Sequence, residues 1–160
     1  MKKFKTMMAM MLALVSMCVA FSSCSSDDDN DTAGGAKEIV GTYTSTLNLT
    51  VMGQSSSYED KTVKVEAVDD NTVKITLPAC DEAMMPLPAL EVPAVKVSGS
   101  NGAYAFTQKN YAGTITVNGE EKKYTVTLNG TLKDNTLTVN YQLQYGKMPA
   151  AMIGKFVCKK

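Results

Sequence analysis

The residues able to do chemistry in this chain are cysteines, carboxylates, hydroxyls and lysines, because the sequence contains neither histidine nor arginine. Histidine is the commonest general base and a frequent metal ligand, so its absence removes the simplest routes to both kinds of site. Paired catalytic carboxylates need a cleft between them. The acidic doublets instead fall at or beside predicted turns: Glu59-Asp60, Asp69-Asp70, Asp81-Glu82 and Glu120-Glu121. With no phosphate-cradling glycine loop, serine nucleophile elbow or Cys/His metal spacing, we expect no catalytic residue, no metal site and no cofactor.

The cysteine at position 24 stands in a context that predicts covalent modification. Three lysines near the N-terminus precede an apolar run over residues 7–21 and then two serines, which is the layout of a secretory signal. Phe21-Ser22-Ser23-Cys24 resembles a bacterial lipobox, with Phe21 where leucine is usual. We predict a signal peptide over residues 1–23 and lipidation, including palmitate, at Cys24. An ordinary secretory cleavage and an uncleaved anchor are the alternatives, although the run is short for a transmembrane helix.

Residues 24–37 are polar and acidic and cannot bury apolar surface, so we predict a flexible tether. Their acidic run directly behind Cys24 resembles the export tag of surface lipoproteins in some Gram-negative bacteria. This resemblance implies a protein anchored by lipid in the outer membrane at the cell surface, with the periplasmic face as the alternative. The run lacks the glutamate that an EF-hand calcium loop needs. Asp31-Thr32-Ala33 resembles the acceptor of bacterial O-glycosylation, which implies modification of Thr32.

Charge and length limit the classes of partner and the number of domains. Without the lysines of the signal peptide, the chain has 13 lysines against 16 acidic residues, a net charge of −3. Nucleic-acid binding usually needs a clustered basic face and arginine for bidentate contacts, so we expect no nucleic-acid partner. A chain of 160 residues suffices for one domain with one core, which we place at residues 38–160.

The sequence from Ile39 onward alternates apolar and polar residues and contains two similar units. Each unit has the order strand, Asp-Asn-Thr turn, strand, Met-Pro loop and strand, and the units are offset by 64 residues between Asn71 and Asn135. A period of two predicts half-buried strands. Two four-strand repeats predict an all-β, eight-stranded antiparallel up-and-down barrel, in which closure removes exposed strand edges. An open two-sheet sandwich is the alternative.

Local signals add detail to this barrel. Pro93 must interrupt its strand with a bulge or an edge position, and a switch of the buried face predicts a second bulge between about Gln108 and Asn110. Asn118-Gly119 is typical of a tight hairpin. Gly53 with the three serines that follow is interpreted as a turn. No stretch after the signal segment shows the spacing of an amphipathic helix.

The second unit carries a family resemblance. Residues 124–156, with Leu128-Asn129-Gly130, Asp134-Asn135 and Tyr145-Gly146-Lys147-Met148-Pro149, resemble the calycin-like β-barrel domain of secreted bacterial lipoproteins. The resemblance spans residues 39–160, although Ala150-Ala151 stand where an aromatic residue is more typical. It implies a lipocalin-like barrel and supplies no catalytic residues to transfer.

The predicted topology brings both Met-Pro loops to the end of the barrel that points away from the tether. Methionine suits an adaptable apolar rim, so we predict that this mouth binds a small apolar ligand. The residues predicted to surround it are Met84, Met85, Leu87, Tyr145, Met148 and Met152. The alternative is that these loops fold inward and complete a filled core, as in many small eight-stranded barrels.

Cys80 and Cys158 form an even pair in an oxidising compartment, which favours a disulfide. The predicted topology opposes it, because Cys80 follows the third strand at the far end whereas Cys158 closes the eighth strand at the near end. A disulfide allows only about 4.4–6.8 Å between Cα atoms. We predict two unpaired thiols and keep the disulfide as the alternative.

The sequence therefore predicts an envelope lipoprotein whose partners are the membrane, through its N-terminal lipid, and a small apolar or amphipathic ligand. An interaction protein with a filled core that holds another envelope protein or a host macromolecule is the second interpretation. An inhibitor of a secreted hydrolase is a third, and it would need an ordered projecting segment such as residues 84–88.

Overall fold

The computed structural model describes residues 35–83 and 86–160. The predicted signal peptide, Cys24, Thr32, Met84 and Met85 lie outside these residues. The described residues form one short helix and eight strands: α1 (Gly35–Ile39), β1 (Gly41–Val51), β2 (Gln54–Asp69), β3 (Thr72–Leu77), β4 (Leu90–Ser100), β5 (Ala103–Val117), β6 (Glu120–Lys133), β7 (Thr136–Tyr145) and β8 (Met152–Lys159).

Each strand pairs antiparallel with the next one in sequence, and β1 pairs with β8 to close the barrel. The prediction of an up-and-down barrel is confirmed over the open sandwich. The closing seam is short, because backbone pairing joins only Leu47–Thr50 to Ile153–Phe156. Beyond it, the Ser45 hydroxyl donates to the Val157 carbonyl at 2.7 Å, and side chains thereby extend the seam towards the termini.

The barrel interior is filled mainly by apolar side chains from alternate strand positions. β7 shows this most clearly, since every second residue from Leu137 to Tyr145 is buried. Complete burial of such a side chain contributes about 1.5–3 kcal/mol, so the core stabilises the barrel far more than the four residue pairs of the seam. No side-chain nitrogen or oxygen buried in the described part of the chain lacks a hydrogen-bond partner.

The predicted bulges are present. In the β3–β4 pairing, one extra residue of β4 lies between Val92 and Val95, where Ala94 has a φ of 58°. In the β5–β6 pairing, β5 has one extra residue between Gln108 and Tyr111, where Asn110 has a φ of 50°. A third bulge, in β2 at Asp60 (φ 55°), was not predicted. It reverses the face that later β2 residues present.

Two predictions about local structure are wrong. The predicted flexible tether extended to Lys37, but residues 35–37 begin α1, in which Ala36 and Ile39 are completely buried. The Ala36 amide also donates to the Asp70 carbonyl at 3.1 Å. The serines after Gly53 were interpreted as a turn, but they belong to β2, because the turn is limited to Met52 and Gly53 and pairing resumes at once between Val51 and Gln54.

The two ends of the barrel differ. One end, which we call the closed end, is covered by α1. This helix packs beside Val97 and Tyr104, and the Tyr43 hydroxyl donates to the Ile39 carbonyl at 2.8 Å. The turns β2–β3, β4–β5 and β6–β7 share this closed end with both termini of the described domain. The opposite end carries the β1–β2 and β5–β6 hairpin tips and both long connections, β3–β4 and β7–β8. The topology therefore places both predicted Met-Pro loops at one end.

Candidate functional site

A cavity of about 610 Å³ lies at the open end of the barrel. The β1–β2 hairpin, the β3–β4 connection at Ala83 and the β7–β8 connection with the start of β8 line it, and it is open to solvent on one side. Its wall has two kinds of surface. We call them the apolar wall, formed by Leu49, Val51, Met52, Ala83, Met148, Pro149 and Met152, and the polar strip, formed by Gln54, Ser56 and Tyr58.

The residues of the apolar wall come from the inner faces of β1 and β8 and from the β7–β8 connection, which hydrogen bonds fix in place. Leu49 and Val51 occupy inward positions of β1, and Met152 occupies the first inward position of β8. Met148 precedes β8, in a connection where its amide donates to the Tyr145 carbonyl at 3.2 Å and its carbonyl accepts from Gln144 Nε2. These hydrogen bonds hold the methionine at the cavity.

The polar strip follows from the alternation of β2. Gln54, Ser56 and Tyr58 are opposite Val51, Leu49 and Leu47 of β1, so they share the inner face. The serines between them lie on the outer face, and each contacts a side chain of β1. Ser55 is 2.7 Å from the Thr50 hydroxyl, and Ser57 donates to Asn48 Oδ1 at 2.6 Å.

Met52 forms the outer limit of the apolar wall. It is 73% exposed and occupies the left-handed region at the hairpin tip, with a φ of 50°, followed by Gly53 with a φ of 85°. Asparagine, aspartate and glycine are the usual residues of such turns, and a positive φ is uncommon for methionine. The tip therefore carries an exposed apolar side chain at a position where small polar residues are favoured.

An ion pair fixes the β3–β4 connection beside the cavity. Lys61 Nζ lies 2.6 Å from Glu82 Oε2, and the lysine side chain is only 14% exposed. The hydrogen bond from Lys61 lowers the pKa of Glu82, and the same bond raises the pKa of Lys61. Next to this pair, Cys80 and Leu87 exchange two backbone hydrogen bonds of 2.9 and 3.0 Å. The connection is thus tied to β2 and to itself.

The six residues predicted to form the mouth do not all lie at the cavity. Met148 and Met152 are in the apolar wall. Leu87 and Tyr145 are buried in the core, as these two methionines are, but they do not line the cavity. Pairing with Cys80 turns Leu87 inward, and Tyr145 is the last inward residue of β7, opposite Tyr124. Met84 and Met85 lie outside the described residues.

Sequence reasoning missed the contribution of β1 and β2 to the site. Leu49 and Val51 are part of the apolar–polar alternation that predicted β1. They could have been predicted as site residues, because they lie at the end of β1 that is nearest to the mouth. The polar strip was hidden, because the serines were interpreted as a turn. Tyr58, four residues after Gln54, was the available signal that the strand starts early.

The cysteines and carboxylates of the described residues do not come together in one site. In residues 35–83 and 86–160, no three His, Cys, Asp or Glu side chains form a group that could hold a metal ion. Cys80 and Cys158 are both buried and unpaired. Cys158 is opposite Leu137 near the closed end, and its Sγ lies 3.4 Å from the Thr44 carbonyl. Burial raises the pKa of the Cys80 thiol, so it stays protonated and weakly nucleophilic at neutral pH.

The helix of the described residues, α1, is not long and apolar enough to span a membrane.

Comparisons with known proteins bear on this fold. The family model of the calycin-like beta-barrel domain matches residues 39–159. Among solved structures, the chain is similar to a Bacteroides fragilis NCTC 9343 protein that is named as an outer membrane protein, with a TM-score of 0.64 and 23% identity. The match covers 80% of this chain and 53% of that one, so this chain spans about half the length of that neighbour. At this identity the likeness shows the fold alone. A search of curated proteins finds no match.

Proposed function

Because the chain belongs to the calycin-like β-barrel domain family, we propose that it is a non-catalytic binding module whose open end takes a small apolar or amphipathic ligand. The cavity of about 610 Å³ with a mostly apolar wall is the observation that carries this proposal. Small-molecule pockets typically measure about 300–1,000 Å³ and are lined mainly by apolar side chains with a few polar groups. The cavity meets both conditions.

The proposal includes an envelope anchor at the closed end. The described chain begins with α1 at that end, so a tether from a lipidated Cys24 reaches the barrel opposite the cavity. Cys24 and Gly35 are eleven positions apart in the sequence, which allows a reach of about 40 Å at most. The anchored barrel then presents its cavity away from its own membrane. An outer-membrane location is part of this proposal, and the name of the Bacteroides fragilis neighbour agrees with it. Exposure at the cell surface is also proposed, and it is supported by the acidic run behind Cys24.

Titration with N-phenyl-1-naphthylamine, an uncharged dye that fluoresces in apolar sites, tests this function. We expect the protein to bind the dye at one site. Met148→Ala should weaken binding several-fold, because it removes part of the apolar wall. Ile153→Ala is the matched control, since Ile153 follows Met152 directly but lies on the outer face of β8. Absence of dye binding, or equal affinities for the two variants at unchanged melting temperature, would contradict the proposal.

A second candidate is an interaction protein that holds an envelope or host macromolecule on its outer surface. Ile153 and Val157 favour it, because they lie on the same outer face of β8 and remain 48% and 41% exposed. The well-filled core in the rest of the barrel is compatible with this role. The dye titration separates the candidates, since surface docking needs no internal site.

A further inference from the structure

The cavity carries no ionised side chain in its described wall. Its polar groups are the amide of Gln54 and the hydroxyls of Ser56 and Tyr58. The lysine nearest to this strip in sequence is Lys61, which is already paired with Glu82 at 2.6 Å. A carboxylate or phosphate that gave up water to contact this wall would gain no cation in exchange, and desolvation of an unpaired charge is costly.

The polar strip is also available for binding. The outward serines of β2 are bonded to β1, as shown by the contacts of Ser55 with Thr50 and of Ser57 with Asn48. Within the described chain, the side chains of Gln54, Ser56 and Tyr58 have no such partner. Alternate residues of a strand lie about 7 Å apart, so the strip presents three separate hydrogen-bonding groups over about 13 Å along one side of the cavity.

From this pattern we infer that the ligand is an uncharged amphiphile with more than one hydrogen-bonding group along one side. Its polar groups bond to Gln54, Ser56 and Tyr58, and its apolar part packs against Met148, Met152 and the other residues of the apolar wall. Met52 at the exposed tip extends this wall beyond the barrel. The inference rests on the proposed function and adds the chemical class of the ligand.

A matched pair of lipids tests the class. Monolauroylglycerol and laurate share the same acyl chain, but the first carries two hydroxyls and no charge, whereas the second is ionised at pH 8. Displacement of the bound dye by each lipid, measured below its critical micelle concentration, gives the two affinities. We expect monolauroylglycerol to bind at least tenfold more tightly. Equal or tighter binding of laurate would overturn the inference while leaving the dye-binding function intact.

Variants on opposite faces of β2 test the strip itself. The double substitution Ser56→Ala with Tyr58→Phe removes two hydroxyls from the strip, and we expect it to weaken monolauroylglycerol binding roughly fivefold or more while laurate binding changes little. Ser57→Ala is the control on the outer face and should leave both affinities unchanged. If the double variant binds monolauroylglycerol like the Ser57→Ala control, the strip does not contact the ligand and the inference fails. Failure of both lipids to displace the dye would also overturn it, whereas failure of the dye to bind would remove the proposed function itself.

Discussion

Gly154 and Tyr141 are directly opposite in the β7–β8 ladder, and both lie on the inner face of the barrel. A Cβ at Gly154 would overlap the tyrosine ring. The backbone of Gly154 does not occupy the left-handed region. A larger residue at position 154 is therefore excluded by the Tyr141 ring and not by the backbone conformation. Phe106 also covers Gly130 of β6, where the Thr138 carbonyl lies in the space that a Cβ would take as well. Such glycine–aromatic pairs let a strand bend while the ring covers the space that a side chain would fill.

We therefore predict that Gly154→Ala destabilises the protein. Overpacking of a well-filled core costs about 1–3 kcal/mol, and loss of glycine freedom in the unfolded chain offsets about 0.4–1 kcal/mol of this. A net loss of about 1–2 kcal/mol in the free energy of unfolding should follow, measured as a shift of the urea midpoint at unchanged slope.

A double-mutant cycle identifies the cause. In a Tyr141→Leu background the ring is absent, and the added methyl group then has space. Gly154→Ala should cost little or nothing there, so the coupling energy between the two positions should approach the full cost in the native background. An equal cost in both backgrounds would refute the explanation by the ring, and an unchanged urea midpoint for Gly154→Ala alone would refute the overlap.

Two further predictions concern the anchor and the rim of the cavity. In a Gram-negative host, the protein should incorporate an alkynyl palmitate analogue, and Cys24→Ser should abolish the label, whereas persistence of the label would exclude this cysteine as the acceptor. The Lys61–Glu82 pair should make the β3–β4 connection sensitive to acid: the pKa of Glu82 is lower in the folded state, so the stabilisation is present above its usual value of 4.5 and is lost as the pH falls through the folded value. Hydrogen exchange of the Cys80 and Leu87 amides, corrected for intrinsic rates, should then become faster below about pH 4.5 in the native protein. In Glu82→Gln the exchange should already be fast at pH 7 and should not depend on pH in this way. Equal protection of these amides in both proteins at pH 7 would contradict the prediction.

The sequence predicted the barrel because its side-chain period and turn residues act locally. The alternation of β7 was visible in every residue from Leu137 to Tyr145, and Pro93 marked the bulge of β4 through its missing N–H group. The helix α1 was not predictable from periodicity, since five residues are too few to define a helical stripe. Its burial depends on contact with Val97 and Tyr104, which are distant in the chain.

The cavity was harder to predict because it depends on where pairing stops. Serine is not among the residues enriched in strands and is common in turns, so the extended conformation of the β2 serines comes from pairing with β1. In the described chain, β3 pairs with β2 only from Lys64 onward. The length of β3 therefore decides whether an inward side chain of β2 packs against a neighbouring strand or faces the cavity.

The repeat explains why an opening lies beside β2. Thr72 and Thr136 begin equivalent strands after equivalent Asp-Asn turns, but β3 has six residues and β7 has ten. Pro78 follows β3 directly and lacks the N–H group needed to continue a ladder. The second unit has Gln142 at the corresponding offset, and β7 continues there to pair with β6 as far as Tyr124. Residues 54–63 of β2 are left with β1 as their strand partner in the described chain.

A second gap lies between the two units, where β4 meets β5, and aromatic side chains seal it. β4 pairs with β5 only from Lys96 onward, so the start of β4 is not joined to β5 by backbone pairing. Tyr124 crosses this gap and donates its hydroxyl to the Glu91 carbonyl at 2.8 Å, with its ring 6.1 Å from that of Tyr111. Burial raises the pKa of Tyr124 to about 12, which keeps the hydroxyl a donor at physiological pH. In the first unit, β2 presents Gln54 and Ser56 at the cavity, and Tyr58 is the only aromatic ring among the described residues that line it. One doubled fold thus produces a sealed gap where tyrosines meet and a cavity where a proline ends the neighbouring strand early.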